Sequence, residues 1–75
     1  MDQRQIISNI KLILKEKRLT QKQFAKMLGV STSHISGILS GRVRISLPLL
    51  LRITDVLDCK LKDLTENTKG KGVKV

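Results

Sequence analysis

Residues Thr20 to Gly41, TQKQFAKMLGVSTSHISGILSG, carry the pattern on which the fold of this 75-residue chain turns. Phe24, Met27, Leu28, Val30, Ile35, Ile38 and Leu39 recur at helical spacing with polar residues on the other faces, which predicts two short amphipathic helices. Thr20 opens the first, and Gln23 three positions later completes a capping box, in which each side chain accepts an amide hydrogen from the other residue's backbone. Ser31 caps the second helix and Gly41 ends it. Between them, Gly29 follows an apolar run where a left-handed helix cap would strain any residue with a Cβ. Ala25, small among larger apolar neighbours, lets two helices cross closely.

The flanking segments read as scaffold. Asp2, with Gln5 three residues on, is expected to cap a helix running to about Lys17. Its stripe of Ile6, Ile10, Ile13 and Leu14 faces a core, Lys11, Lys15 and Lys17 point outward, and Ile7 and Leu12 sit at the flank, partly buried or else in a dimer contact. After Gly41, the basic loop Arg42-Val43-Arg44-Ile45 leads to Ser46, which caps a fourth helix with Pro48 in its first turn, where a missing amide hydrogen costs no bond. Leu47, Leu50, Ile53, Thr54 and Leu57 form its inward stripe, with Leu49, Leu51 and Val56 beside it. A last turn over Leu61 to Thr65 offers Leu61 and Leu64, although Lys60 is a poor cap. The expected organisation is one all-α domain over residues 1–66 and a flexible basic tail over 67–75, NTKGKGVKV.

Composition narrows the function. A chain this short buries only about 60% of its unfolded surface, so the core is small. With one Phe and no Trp or Tyr, aliphatic side chains must supply the packing. The single Cys, Cys59, excludes an intrachain disulfide; it is expected as a buried core thiol in a reducing compartment. Lys and Arg outnumber Asp and Glu by 15 to 6, a net charge of +9 that calls for a polyanionic partner. Nine of the basic residues and only two acidic ones fall before residue 45, around the opening stretch. The N-terminus lacks the apolar run of a signal peptide, and Leu47 to Leu51 is far shorter than the roughly 20 residues of a membrane span. A cytoplasmic, nucleoid-associated protein is expected.

Projected at about 100° per residue, the third helix places Ser33, Ser36, Gly37 and Ser40 opposite Ile35, Ile38 and Leu39. Interior glycine costs a helix about 1 kcal/mol against alanine, so an outer face this small points either to a closely approaching partner or to solvent positions that tolerate any residue.

Gln21 opening the second helix, Ala25, Gly29 in the turn, Ile35 and Ile38 in the third helix and then Gly41, with Leu57, Asp58, Leu61 and Leu64 beyond, resemble the Cro and phage-repressor type of helix-turn-helix domain. The likeness covers about residues 4 to 65 and implies a compact, lambda-repressor-like bundle of five helices. It also implies a third helix laid in the major groove of double-stranded DNA. Carried over by position, Thr32, Ser33, Ser36 and Gly37 would face base edges. Gln21, at a helix N-terminus suited to an anion, and Lys22, His34, Arg42 and Arg44 would contact phosphates.

Three positions depart from the family pattern. Gly37 stands where members often carry a long polar or basic side chain, and no Arg, Lys, Asn or Gln lies on the outer face of the third helix. Hydroxyls discriminate bases less sharply than a bidentate pair, and Arg42 or Arg44 is expected to compensate at the groove edge. Leu14 and Leu39 occupy positions where many members pair Arg with Glu. Both having become apolar, they are expected to touch and to leave no buried charge unpaired.

The expected function is therefore a sequence-specific transcriptional regulator, a repressor acting as a homodimer on a two-fold operator, with Leu49, Val56 and the other flank residues as the expected dimer contact. The competing reading is an antitoxin-like module that holds a protein partner and binds DNA only to regulate itself. RNA binding ranks lower for want of stacking aromatics. One His, one Cys and scattered carboxylates make no catalytic constellation, so no enzyme is expected. His34 has no nearby His or Cys to share a metal, and neither metal nor cofactor is implied.

Overall fold

Helices in this protein begin where a side chain can take up a free amide. The computed structural model describes residues 3–66, in which Gln3–Glu16 (α1), Gln21–Leu28 (α2), Thr32–Leu39 (α3), Leu47–Leu57 (α4) and Leu61–Thr65 (α5) follow in order. At α2 the capping box is complete: Thr20 Oγ1 accepts from the Gln23 amide at 3.1 Å, and Gln23 Oε1 accepts from the Thr20 amide at 2.8 Å. Ser31 and Ser46 accept from the amides of His34 and Leu49 at 3.1 and 3.4 Å. Lys60 supplies no such side-chain acceptor, and α5 starts instead with its amide donating to the Asp63 carboxylate at 3.0 Å. The expected cap Asp2 and the expected tail over 67–75 lie outside the described residues.

Gly29 takes the left-handed conformation, φ +80°, and its amide and that of Val30 both donate to the Ala25 carbonyl, at 2.9 and 3.0 Å. Arg18 and Asp58 close α1 and α4 in the same conformation although neither is glycine.

The core is aliphatic around a single ring. Ile6, Ile10 and Leu14 from α1 meet Phe24, Ala25 and Leu28 from α2, Ile35, Ile38 and Leu39 from α3, Leu50, Ile53 and Leu57 from α4, and Leu64 from α5. Contacts run from α1 to α3 and α5, from α2 to α3 and α4, and from α4 to α5, so α4 braces α2, α1 braces α3, and α5 joins α1 to α4. Leu14 and Leu39 are both buried in this one core.

Several apolar positions depart from expectation. Met27 is 48% exposed and Leu47 52% exposed, not inward. Each projects about 100° from the centre of its helix's buried face, too far round to reach the core. Ile7 is buried and Leu12 is exposed, so the two expected flank residues of α1 divide. Leu61 is exposed while Leu64 alone anchors α5, and Thr54 is only half-buried. Cys59 is half-buried at the α4–α5 junction and lies at the edge of the core.

Among the described residues, one buried residue is polar. Asn9, fully buried between the apolar residues of α1, donates from Nδ2 to the carbonyls of Leu64 at 2.6 Å and Glu66 at 2.7 Å, and its Oδ1 accepts from Gln5 Nε2 at 3.0 Å. The last carbonyls of a helix have no partner within it, so Asn9 ties the end of α5 to α1 while satisfying two of them.

Candidate nucleic-acid interface

Along α3, burial of Ile35, Ile38 and Leu39 leaves Thr32, Ser33, His34 and Ser36 exposed. Ser40 caps the helix at its far end and is also exposed, but its hydroxyl is engaged: it donates to the Gly37 carbonyl at 3.1 Å and accepts from Arg42 Nε at 3.3 Å. Gly37 itself is a correction. It is buried, because the chain leaving α3 folds back over it and Val43 covers the place where a side chain would start. A Cβ there would stand 2.9 Å from Val43 Cγ2. The glycine thus serves the approach of the following loop, and the open face of α3 is narrower than helical projection predicts.

That loop is firmly held. The Gly37 carbonyl accepts from the amides of both Arg42 and Val43, at 3.0 and 3.1 Å. From α1, the Gln3 carboxamide donates to the Val43 carbonyl at 3.3 Å and accepts from the Ile45 amide at 3.0 Å, bonding both sides of Arg44. Arg42 and Arg44 are exposed on a fixed backbone and line a cleft of about 600 Å³ beside Gln3 and Gly41. Gln21 and Lys22 are exposed in the first turn of α2, outside that cleft. A helix N-terminus with free amides favours an anion there.

The turn between α2 and α3 has support that the sequence reading missed. Arg52 of α4 donates from Nη2 to the Leu28 carbonyl at 2.7 Å, satisfying a terminal acceptor of α2 just before Gly29. Its distance of 24 residues along the chain hides it from any local pattern.

Charge is segregated. Among the described residues, the lining of the cleft at the α3 end contains Arg42 and Arg44 and no carboxylate. At the other end, a shallower cleft is lined by Glu16, Asp58 and Asp63 together with Lys17, Ile13 and Cys59. Partial burial and then the Asp63 carboxylate push the Cys59 thiol above its ordinary pKa, with Asp58 adding to this and Lys17 opposing it. Among the described residues no group of three or more His, Cys, Asp and Glu is placed to hold a metal ion, and no helix is long and apolar enough to cross a membrane.

A helix-turn-helix family model of the Cro/C1 type matches residues 10–64, from the middle of α1 to the last buried leucine of α5. This chain belongs to the Cro/C1-type helix-turn-helix family. No match was found among curated proteins or among solved structures. In Cro/C1-type terms α2 and α3 are the two helices of the motif, Gly29 is its turn, and the domain is one for binding DNA.

Proposed function

We propose that the protein is a sequence-specific regulator of transcription, acting as a repressor, that lays α3 in the major groove of double-stranded DNA. The observation that carries this is the exposed row Thr32, Ser33 and Ser36 on α3, bordered by a rigid loop presenting Arg42 and Arg44. Thr32, Ser33 and Ser36 meet base edges. Gln21, Lys22, His34, Arg42 and Arg44 meet phosphates and set register. Gly37, recessed beneath Val43, takes part by letting the loop lie close rather than by meeting a base. Hydroxyls alone give modest discrimination, so groove-edge arginines and DNA shape share the specificity.

The protein binds as a homodimer on a two-fold operator, as half-sites one helical turn apart favour. Leu49 and Val56 pack against the core, which leaves half-exposed Leu47 and Leu51, one turn apart on α4, as apolar residues for a contact between copies. The same two leucines favour the second reading, an antitoxin-like module whose main partner is another protein.

Selection from a random duplex library tests the proposal, returning motif, symmetry and half-site spacing together. A two-fold motif is expected. With six phosphates neutralised, log affinity falls against log salt with a slope near −5. A flat salt dependence with no recovered motif overturns DNA recognition. Particle mass at micromolar concentration, free and on DNA, tests the dimer; monomer in both states overturns it.

A further inference from the structure

We infer that the N-terminal half of α1 is a second anchor for the DNA backbone, with Arg4 and Lys11 taking phosphates beyond those held by Arg42 and Arg44. The inference rests on the DNA-binding reading above and extends it to a surface that neither the family match nor the motif includes as a contact.

Arg4, Ser8 and Lys11 recur at i, i+4 and i+7, so they share one stripe of α1. That stripe forms a wall of a cleft of about 500 Å³ between α1 and the end of α3, with Ile7 and Leu39 at its base. Gln3 and Gly41 line this cleft and also the neighbouring one that holds Arg42 and Arg44, so the two join into one trough. Among the described residues, each lining contains two cations and neither contains Asp or Glu.

Geometry favours a linear polyanion over a small anion. Arg4 and Lys11 are separated by seven residues, about 10 Å of helix rise, so each reaches a different phosphate. A small anion would be met by one of them and left in open water. The two bonds from Gln3 to Val43 and Ile45 fix the start of α1 against the loop, so the backbone segments that carry the four cations are tied together before any ligand arrives. Lys17, exposed just beyond the end of α1 beside Asp58 and Asp63, provides an internal comparison of equal charge.

The test titrates the full chain with a labelled duplex of random sequence between about 50 and 200 mM salt, using wild type, R4Q/K11Q, K11Q alone and K17Q. The expected result is a slope shallower by about 1.8 in R4Q/K11Q and by about 0.9 in K11Q, with K17Q unchanged. Helical circular dichroism of each variant is recorded, and if the double variant is unfolded, K11Q against K17Q decides. Slopes equal to wild type in the α1 variants, or an equal loss in K17Q from diffuse charge alone, overturn the inference while leaving DNA binding intact. A flat slope in wild type overturns the DNA reading itself, and this extension with it.

Discussion

A Cβ added to Gly37 would lie 2.9 Å from Val43 Cγ2, closer than real side chains approach. Alanine is the better helix former by about 1 kcal/mol, so on local grounds Gly37→Ala should stabilise α3. We expect the reverse. Val43 is stiff at χ1 and its backbone is bonded to Gly37 and Gln3, so overpacking costs about 1–3 kcal/mol and wins. Urea unfolding should show a lower midpoint for Gly37→Ala, recovered largely by adding Val43→Ala. A higher midpoint in the single variant would refute the clash.

Asn9 gives a sharper test of the α1–α5 tie. Asn9→Leu strands the carbonyls of Leu64 and Glu66 and should cost about 3 kcal/mol. Asn9→Asp should cost more at neutral pH, because a carboxylate faces two carbonyl oxygens. Its pKa is then raised in the folded state, so stability is greatest below the unfolded value of about 3.9 and is lost as pH rises. Chemical denaturation of both variants at about pH 4 and 7 checks the sign.

Leu14 and Leu39 share the core of α1 and α3. Leu39→Glu alone buries an unpaired charge and should lower stability by several kcal/mol, on the order of 3–5. Adding Leu14→Arg to it should restore a large part by rebuilding an ion pair. An unfolding midpoint unmoved by Leu39→Glu contradicts the account.

Base reading and backbone holding separate by mutation. Ser33→Ala with Ser36→Ala should change which duplex is preferred in a selection. Lys22→Ala should weaken all duplexes about equally and reduce the salt slope by about 1. Uniform losses from both sets would show that the α3 hydroxyls do not read sequence.

Cys59 adds a pH dependence. Its thiol pKa is raised on folding, chiefly by burial and then by Asp63, so its contribution to stability is intact below the unfolded value and falls as pH rises through the folded one. The stability difference between wild type and Cys59→Ser should therefore shift against wild type above about pH 8.5. A difference that is constant with pH would remove the thiolate from the explanation.

What could be read from the chain alone divides by distance along it. Thr20, Gln23, Ser31 and Ser46 act over three residues, and so the starts of α2, α3 and α4 were legible. The outward placing of Ser33 and Ser36 follows from helical phase, whereas Thr32, Gln21, Lys22, His34, Arg42 and Arg44 are singled out by the family resemblance; all eight are exposed. Gly37 was misplaced because phase describes one helix at a time, while Val43, which covers it, belongs to the next loop. Met27 and Leu47 were misplaced because an apolar residue near the edge of a short helix can miss the core. Gln3, Asn9 and Arg52 bond backbone groups 24 to 57 residues away, and nothing local marks such a partner.

The bond from Arg52 to the Leu28 carbonyl has a consequence for portability. Thr20–Gly41 contains its own caps and its own turn, and it looks like a cassette that could be moved between scaffolds. The guanidinium that holds the end of α2 stays behind in α4. A transplant of the motif into a host without an equivalent donor would keep two helices and lose control of the angle between them. The angle between the motif helices thus belongs to the whole bundle, and under the proposed function a change of specificity calls for substituting residues on α3 in place.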